Sequence, residues 1–430
     1  MKIQIKHGRL IDPATGMDRI GDLFIADGNI VAGEKAVVSF TPDRTIDASG
    51  LVVCPGLIDL SARLREPGFE YKATLESEMK AAIAGGVSSL VCPPDTDPPL
   101  DEPGLIEMLK FRARGLNQAR VYPLGALTQG LQGERLTEMA FLHEAGCVAF
   151  SQADAPISDK QVLLRALAYA RTFDFAVWLR PQDETLSRGG VAHDGEQATR
   201  LGLPVIPSCA ETVSLAVILI LAKATDARVH LCRISTADGV ELVRQAKRSG
   251  MRVSCDVAIH HVHLSEMDLG YFNSNCHLIP PLRSEADRQA LRAGLADGTI
   301  DAICSDHTPV DDDAKQVPFG ESEPGATGLE LLLPLTLKWA VQSNLPLSEA
   351  LARVTSAPAG VLNRPGGTLA AGSPADLCIF APLRSWVVDR SALYSQGKNT
   401  PLLDTEVHGQ ATYTLVAGTV VFDRALEMQR

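Results

Sequence analysis

The residues best placed to do chemistry in this chain follow a short apolar segment near residue 55. Leu51–Cys54 is an apolar run typical of a buried strand, Pro55-Gly56 turns the chain, and Leu57-Ile58 begins a second run. Just beyond, Ser61 and Arg63 stand two positions apart, so both project from one edge of an extended segment. A hydroxyl is a poor zinc ligand, and a guanidinium has no free lone pair and stays protonated. This edge therefore offers one cation and one hydroxyl, and no pair of metal ligands.

Four later segments also place polar residues directly after apolar, strand-like runs. They read Phe150-Ser-Gln-Ala-Asp154, Trp178-Leu-Arg180, Cys232-Arg233 and Cys304-Ser-Asp306. Guanidinium groups at such positions would repel a divalent cation at short range, because screening is weak in a partly desolvated pocket. We expect Asp306 to pair with one or two of the arginines in bidentate fashion. We expect Asp154 to be a solvated turn residue or a cap for the following helix.

The elements that must position these residues alternate between two periodicities. From about residue 55 to residue 364, strand-like runs such as Ala176–Leu179 and Val205–Pro207 alternate with helical patterns such as Leu75–Ala84 and Lys160–Thr172. Repeated βα units over this length favour a parallel sheet, and at this count they predict a TIM (β/α)8 barrel. The rival architecture is an open, doubly wound sheet.

Both ends of the chain are rich in short strands and turns. Residues 1–54 and residues 365–430 both contain runs of alternating apolar residues separated by Gly-containing turns. We predict that they form one composite β-sandwich domain, and that residues 55–364 form the barrel.

Several short motifs occur in one order along the chain and resemble those of the dihydroorotases in the cyclic amidohydrolase superfamily. The resemblance covers essentially the whole chain, and it is closest to the bacterial class that lacks a carboxylated lysine. It implies an amidohydrolase-type barrel with zinc at the carboxyl ends of its strands. The motifs are Leu64-Arg-Glu-Pro-Gly68, Gly86-Val-Ser-Ser-Leu-Val-Cys-Pro-Pro-Asp-Thr96, Ile279-Pro-Pro-Leu-Arg283, Ser305-Asp-His-Thr-Pro309 and Asn399-Thr-Pro401.

The resemblance also shows which metal ligands this chain lacks. The family's His-x-His pair is replaced by Ser61 and Arg63, and its metal-binding aspartate by Gln152 and Ala153. The two remaining histidine positions hold Arg180 and Arg233. Only Asp306 is kept, at the position of the last ligand and general base. The resemblance therefore predicts neither a bound metal nor a catalytic residue.

The substrate side of the implied pocket has changed as well. Arg65 keeps the position that binds the substrate carboxylate in relatives. Asp95 and Ile279 each replace a family asparagine, and Val310 replaces a histidine. Together with Asp306, these residues predict a vestigial pocket that binds dihydroorotate or carbamoyl aspartate poorly.

The remaining histidines are predicted to be structural. His260-His261-Val-His263 resembles a metal cluster, but we expect a structural or surface role, with His261 and His263 on one face of an extended segment. His230, inside an apolar run, is expected to be a hydrogen-bonded core residue. His307 is expected to orient a loop.

Composition restricts the environment and the partners. A net charge of -12, with no basic run, argues against nucleic acid or an anionic membrane as partner. The nine cysteines are dispersed without a C-x-x-C pair, which suits free thiols in a reducing compartment. With no signal-peptide pattern and no apolar stretch of membrane-spanning length, we expect a cytoplasmic protein.

The resemblance leads to a functional hypothesis with an alternative from another class. In some bacteria a chain of this kind joins the aspartate carbamoyltransferase catalytic chain in a large complex. We therefore predict a non-catalytic structural subunit in pyrimidine biosynthesis that binds this transferase, self-associates and needs no cofactor. The alternative is an active dihydroorotase or other cyclic-amide hydrolase with an atypical or absent metal centre. A decayed copy without a role is a further possibility.

Overall fold

The computed structural model describes residues 1–31 and 40–427. Strands and helices alternate through most of this length, as the sequence predicted. In chain order the strands are β1 (Ile3–Asp12), β2 (Met17–Ala26), β3 (Asn29–Ile30), β4 (Arg44–Asp47), β5 (Val52–Pro55), β6 (Leu57–Asp59), β7 (Val87–Cys92), β8 (Arg120–Ala126), β9 (Ala149–Ser151), β10 (Ala176–Leu179), β11 (Ala192–His193), β12 (Val205–Ile206), β13 (Arg228–Leu231), β14 (Val253–Ala258), β15 (Ala302–Cys304), β16 (Leu377–Val387), β17 (Glu406–Val416) and β18 (Thr419–Asp423).

The helices fill most of the intervals between these strands. In chain order they are α1 (Leu75–Ala84), α2 (Pro103–Gly115), α3 (Met139–Ala145), α4 (Lys160–Thr172), α5 (Glu184–Ser187), α6 (Glu196–Leu201), α7 (Cys209–Thr225), α8 (Ala237–Arg248), α9 (Ile259–His263), α10 (Glu285–Ala296), α11 (Leu332–Gln342), α12 (Leu347–Ala352), α13 (Ser356–Leu362) and α14 (Arg424–Glu427).

Local sequence accounts for the helix boundaries. Helix α1 begins with a capping box between Thr74 and Ser77, and after it Gly86 adopts φ +86°, the left-handed conformation that glycine allows. Helix α4 is capped by Asp159, whose carboxylate accepts from the amide of Gln161 at 2.7 Å. Both helices have the bounds that the apolar periodicity predicted.

Eight parallel strands form the predicted barrel. Their order is β6-β7-β8-β9-β10-β13-β14-β15, so each strand pairs with the next one in the barrel wall. A parallel bridge between Ala62 and His307 closes the circle, with the Arg63 amide 2.9 Å from the His307 carbonyl. Apolar side chains from the wall, among them Leu124 and Trp178, form a buried cluster inside it. The interior is therefore filled, as in other TIM barrels.

One predicted strand lies outside the barrel wall. Val205–Ile206 pairs only with Ala192–His193, in a separate two-stranded sheet between α5 and α7. The prediction that Val205–Pro207 belongs to the alternating barrel series was wrong. The sequence of a short apolar run does not show whether the strand pairs within the barrel wall or within a connecting segment outside it.

Strands from both ends of the chain combine in one β-rich domain. Its eight-stranded sheet has the order β18-β17-β16-β5-β1-β2-β3, with β4 pairing to β1. Strand β5 joins the two ends because it runs parallel to β1 and antiparallel to β16, where Cys54 lies opposite Cys378. A single residue separates β5 from β6, the first barrel strand. The sheet therefore also helps to fix the position of Ser61 and Arg63, which follow β6.

Among the described residues, no helix combines the length and the apolar composition needed to cross a membrane. All nine cysteines are free thiols, and seven of them are buried.

Candidate functional site

The barrel brings the sequence-predicted residues together at its mouth. Arg63, Arg180 and Arg233 follow β6, β10 and β13, whereas Asp154 and Asp306 follow β9 and β15. In a parallel barrel the carboxyl ends of all strands meet at the same end. These five side chains, separated by up to 243 positions in sequence, therefore surround a common centre.

At this centre the Asp154 carboxylate is shared by three guanidinium groups. Its Oδ2 accepts from Arg63 Nη2 at 2.6 Å, and its Oδ1 accepts from Arg180 Nε and Arg233 Nη2. The three arginine side chains are only 5–6% exposed, and Asp154 is 31% exposed. The Asp154 carboxylate, which is partly exposed, therefore neutralises only part of the charge of the three buried guanidinium groups.

Arg63 links this centre to two further carboxylates. Its Nε donates to Asp95 Oδ2 at 2.7 Å, and its Nη1 lies 3.3 Å from Asp306 Oδ1 and 2.9 Å from Thr308 Oγ1. Every nitrogen of the guanidinium thus has an acceptor. A fully bonded guanidinium of this kind can be buried at much lower cost than a lone charge.

Asp306 also binds two arginines, as predicted. Its Oδ1 accepts from Arg233 Nη1 at 2.9 Å as well as from Arg63 Nη1, and Ser61 Oγ lies 3.5 Å away. Both arginines meet the same oxygen through a single nitrogen, so the bidentate pairing that we expected is not formed. Three carboxylates, Asp95, Asp154 and Asp306, therefore balance three guanidinium groups.

Buried residues around the barrel hold these side chains in place. The Arg233 amide donates to Asp256 Oδ1 at 2.6 Å, and Asp256 Oδ2 lies 3.1 Å from His230 Nε2. His230 Nδ1 in turn meets Ser254 Oγ at 2.8 Å, which confirms the prediction of a hydrogen-bonded core histidine. Arg233 has φ +55°, a conformation that costs a non-glycine residue about 1 kcal/mol, and the bond to Asp256 stabilises it.

A second network positions Asp306. Asp59 accepts from the Ser305 amide at 2.7 Å and from the Ser305 hydroxyl at 2.5 Å. Burial raises the pKa of Asp59 to about 6, although the bonds from Ser305 oppose this rise. His307 Nδ1 accepts from the Gly328 amide at 3.1 Å, and its Nε2 contacts Glu78 at 2.5 Å, in accord with a loop-orienting role.

The electrostatics of the cluster favour the charged forms of Asp154 and Arg63. Burial alone would raise the pKa of Asp154, but Arg233, Arg180 and Arg63 outweigh it and hold this pKa well below its usual range. Burial alone would lower the pKa of Arg63, but the charges of Asp95 and Asp154 outweigh this effect and raise it. Burial has the larger effect on the other two: it lowers the pKa of Arg180 and raises that of Asp306, although their ion-pair partners oppose both shifts.

The residues at the family's metal positions do not fit a zinc ion. Arg63, Arg180 and Arg233 place three cations there, and Ser61 offers only a hydroxyl. Gln152 uses its amide elsewhere, since Oε1 accepts from Thr128 Oγ1 at 3.0 Å and Nε2 donates to the Leu131 carbonyl at 2.9 Å. Ala153 carries only a methyl group. Within residues 1–31 and 40–427, no group of three or more His, Cys, Asp or Glu side chains is arranged to hold a metal.

The vestigial substrate positions are also engaged by the protein itself. Arg65 Nε donates to the Pro309 carbonyl at 2.8 Å, and Arg65 Nη2 lies 3.7 Å from Glu323. The Ile279 carbonyl accepts from Arg233 Nη1 at 3.2 Å, and the amide of the buried Val310 donates to Asn399 Oδ1. Asp95, which replaces a family asparagine, is a partner of Arg63.

Sequence reasoning missed the role of Asp154. It is the centre of the cluster, and Asp159 is the residue that caps α4, so the expectation of a solvated turn or cap residue was wrong. The balance of charge in the sequence was the signal that could have revealed the role of Asp154. Three guanidinium groups at strand ends cannot be buried with Asp306 alone, and Asp95 and Asp154 are the acidic residues in the neighbouring strand-end turns.

The histidine cluster differs from its predicted geometry. His260, His261 and His263 lie in the short helix α9 and are buried, so the extended segment was wrong. His261 Nε2 meets the Pro280 carbonyl at 3.1 Å, and His263 Nε2 meets the Leu335 carbonyl at 2.8 Å. Burial lowers the pKa of His260 and of His263 to about 3, so these rings are neutral structural groups.

Two family models match the chain. The dihydro-orotase-like family matches residues 50–239, and the amidohydrolase family matches residues 215–421. A dihydroorotase-like protein of Pseudomonas aeruginosa is 46% identical over 97% of this chain and 99% of its own length. A dihydroorotase of Syntrophotalea carbinolica is 42% identical over 98% of this chain and 99% of its own.

Solved structures agree on the fold. An L-hydantoinase (dihydropyrimidinase) from Arthrobacter aurescens superposes with a TM-score of 0.88, covering 98% of this chain and 96% of that one, at 24% identity. A D-hydantoinase gives a TM-score of 0.82 at 22% identity. At such identities the likeness supports the barrel and the β-rich domain, and it carries no inference about activity.

The geometry predicts that Asp154→Asn destabilises the protein. The substitution keeps the side chain's size but leaves three guanidinium groups facing one another with one carboxylate fewer. We expect a loss of about 3 kcal/mol in the free energy of unfolding, toward the low end for a broken buried pair because Asp154 is 31% exposed. Urea unfolding measures this loss. The control is Asp194→Asn, at an exposed position outside the cluster, and equal stability of the two variants would contradict the central role of Asp154.

The lowered pKa of Asp154 also predicts a dependence on pH. A carboxyl group whose pKa is lowered on folding stabilises the protein above its unfolded pKa, about 3.9, and this stabilisation is lost as pH falls toward the folded pKa. The unfolding free energy of the wild type should therefore drop below about pH 4 more steeply than that of Asp154→Asn. Urea unfolding at several pH values between neutrality and the acid transition gives both slopes, and parallel curves would refute the assignment.

Proposed function

The chain belongs to the dihydroorotase-like amidohydrolase family, and from that membership we propose that it is a non-catalytic member acting as a structural subunit. One observation carries the proposal: the guanidinium groups of Arg63, Arg180 and Arg233 converge on Asp154 at the barrel mouth. In catalytic relatives the resemblance assigns this place to zinc.

The chemistry of ring hydrolysis supports the loss of catalysis. An amide is hydrolysed near neutral pH when a metal both polarises its carbonyl and lowers the pKa of a bound water. Cations at the ligand positions disfavour a divalent ion. Asp306, the general base of relatives by resemblance, has its Oδ1 engaged by Arg233 and Arg63. One oxygen of the group that would take the proton is thus already bonded.

The partner in the proposal is the aspartate carbamoyltransferase catalytic chain. Its support is the family resemblance, in which metal-free homologues hold the transferase in a large assembly. The name of the Pseudomonas aeruginosa relative, a dihydroorotase-like protein and not a dihydroorotase, agrees with a homologue of this kind. We propose that self-association of the chain contributes to the same assembly.

An active cyclic-amide hydrolase is the second candidate. It is favoured by the relative from Syntrophotalea carbinolica, which is named a dihydroorotase and is 42% identical. Such an activity would require a mechanism in which Asp306 works without the family's metal ligands. Metal content and turnover separate the two candidates.

We expect the purified protein to contain far less than one zinc per chain and to show no detectable cyclisation of carbamoyl aspartate. Micromolar zinc should also leave the melting temperature unchanged, because an ion bound only by the folded state would raise it. Elemental analysis, a cyclisation assay and thermal unfolding measure the three quantities. About one tightly bound zinc per chain, with turnover that a chelator abolishes, would favour the active hydrolase.

A variant that restores two of the family's histidine ligands serves as the control. Ser61→His combined with Arg63→His restores two ligand positions but leaves Arg180 and Arg233 in place, so we expect it to remain inactive. Turnover in this double variant would show that the two remaining arginines do not exclude the metal.

We expect aspartate carbamoyltransferase from the same organism to form a large equimolar complex with this chain. A stable interface should bury well over about 1,000 Å². Co-expression followed by size-exclusion chromatography tests the assembly. Separate elution, with the transferase fully active alone, would remove the structural role and leave a decayed copy as the better account.

A further inference from the structure

A second cavity lies at the opposite end of the barrel from the arginine–aspartate cluster. It has a volume of about 600 Å³ and opens between the loop from α2 to β8 and the turn that joins β17 to β18. Its barrel wall includes Arg120 and Tyr122, at the amino end of β8, whereas the cluster stands at the carboxyl ends of the strands. The volume falls in the range of small-molecule sites, about 300–1,000 Å³.

The lining of this cavity is strongly cationic. Lys110, Arg114, Arg120 and Arg364 contribute to it, and no Asp or Glu is among the described residues that line it. The chain as a whole carries a net charge of -12, so the cavity concentrates positive charge on an acidic protein. A concave site with one sign of charge raises the local concentration of oppositely charged ligands.

Three of these cations have no carboxylate partner within the described chain. Arg120 is the exception, because it forms a two-point pair with Asp376 at 3.0 and 3.1 Å. Lys110 Nζ donates to the Ala145 carbonyl at 2.9 Å, which leaves its charge uncompensated. Arg114 and Arg364 are exposed, and neither forms an ion pair within residues 1–31 and 40–427. Their charges remain available to an anion.

The other lining groups match the organic part of such a ligand. Val121, Tyr122 and Val421 give the cavity an apolar wall. An apolar wall beside cationic side chains suits a ligand that has an organic part as well as an anionic group.

We propose that this cavity binds a small organic phosphate, of the sugar phosphate or nucleoside phosphate class. Arg114, Arg364 and Lys110 bind the phosphate, which has several acceptor oxygens and a charge near -2. The apolar wall covers the organic part of the ligand. The ligand touches both the barrel and the β17–β18 hairpin, so its binding also joins the two parts of the chain. The site is independent of the proposed function, because it lies at the other end of the barrel.

Isothermal titration of the full chain at low salt tests the proposal with AMP, ribose 5-phosphate and pyrophosphate as probes. We expect one saturable site per chain for at least one organic phosphate, with affinity that falls as salt is added. Tighter binding of AMP than of ribose 5-phosphate would identify a nucleoside phosphate, and the reverse a sugar phosphate. No saturation below about 1 mM, or pyrophosphate binding as tightly as either organic probe, would overturn the proposal.

Charge-removing variants locate the site. Arg114→Gln combined with Arg364→Gln should weaken binding at least about ten-fold, because each loss removes a charge-assisted hydrogen bond. The matched control is Arg200→Gln, which changes an exposed arginine in the last turn of α6, as Arg114 lies in the last turn of α2. All variants should keep the wild-type melting temperature without ligand. Unchanged binding in the double variant, or equal weakening in the control, would contradict the assignment.

Discussion

The attraction of three guanidinium groups to the Asp154 carboxylate is the interaction on which the barrel mouth depends. Without it, Arg63, Arg180 and Arg233 would repel one another at side-chain exposures of only 5–6%. Asp95 and Asp306 complete the balance by binding the same arginines from two sides. The cluster also joins β6 to β9 through Arg63 and Asp154, and β13 to β15 through Arg233 and Asp306, and no hydrogen-bond ladder connects either pair of strands directly.

This arrangement gives a physical reason why the family's barrel can persist with arginines at positions that the resemblance assigns to metal ligands. A metal centre and an ion-pair network solve the same structural problem, since both cross-link the ends of strands that carry polar side chains. Here the cross-link is made by guanidinium and carboxylate groups, and the networks of Asp59 and Asp256 that orient it are buried. The family fold is retained, whereas paired guanidinium and carboxylate groups stand at the mouth of the barrel, so the fold alone does not determine the function.

The sequence was sufficient to predict helices and strands, but not to predict which strands pair or which side chains meet. Apolar periodicity predicted helices α1 and α4 with their observed bounds and the alternation that builds the barrel. It did not predict that Val205–Ile206 leaves the wall, because β pairing depends on distant strands. The positions of Arg63, Arg180 and Arg233 followed from the resemblance, but Asp154 was misassigned. Its environment is made by residues up to 91 positions away, and a local turn pattern contains no information about them.

The central claim is that ion pairs with Asp154 and Asp306 occupy the place of the metal centre. Its most direct test is a crystal structure of the protein grown with excess zinc, with diffraction data collected on both sides of the zinc absorption edge. The account predicts continuous density from Arg63, Arg180 and Arg233 to Asp154, with no anomalous peak among them. An anomalous peak bound to Asp306 or Asp154, with the arginines displaced from these carboxylates, would contradict it.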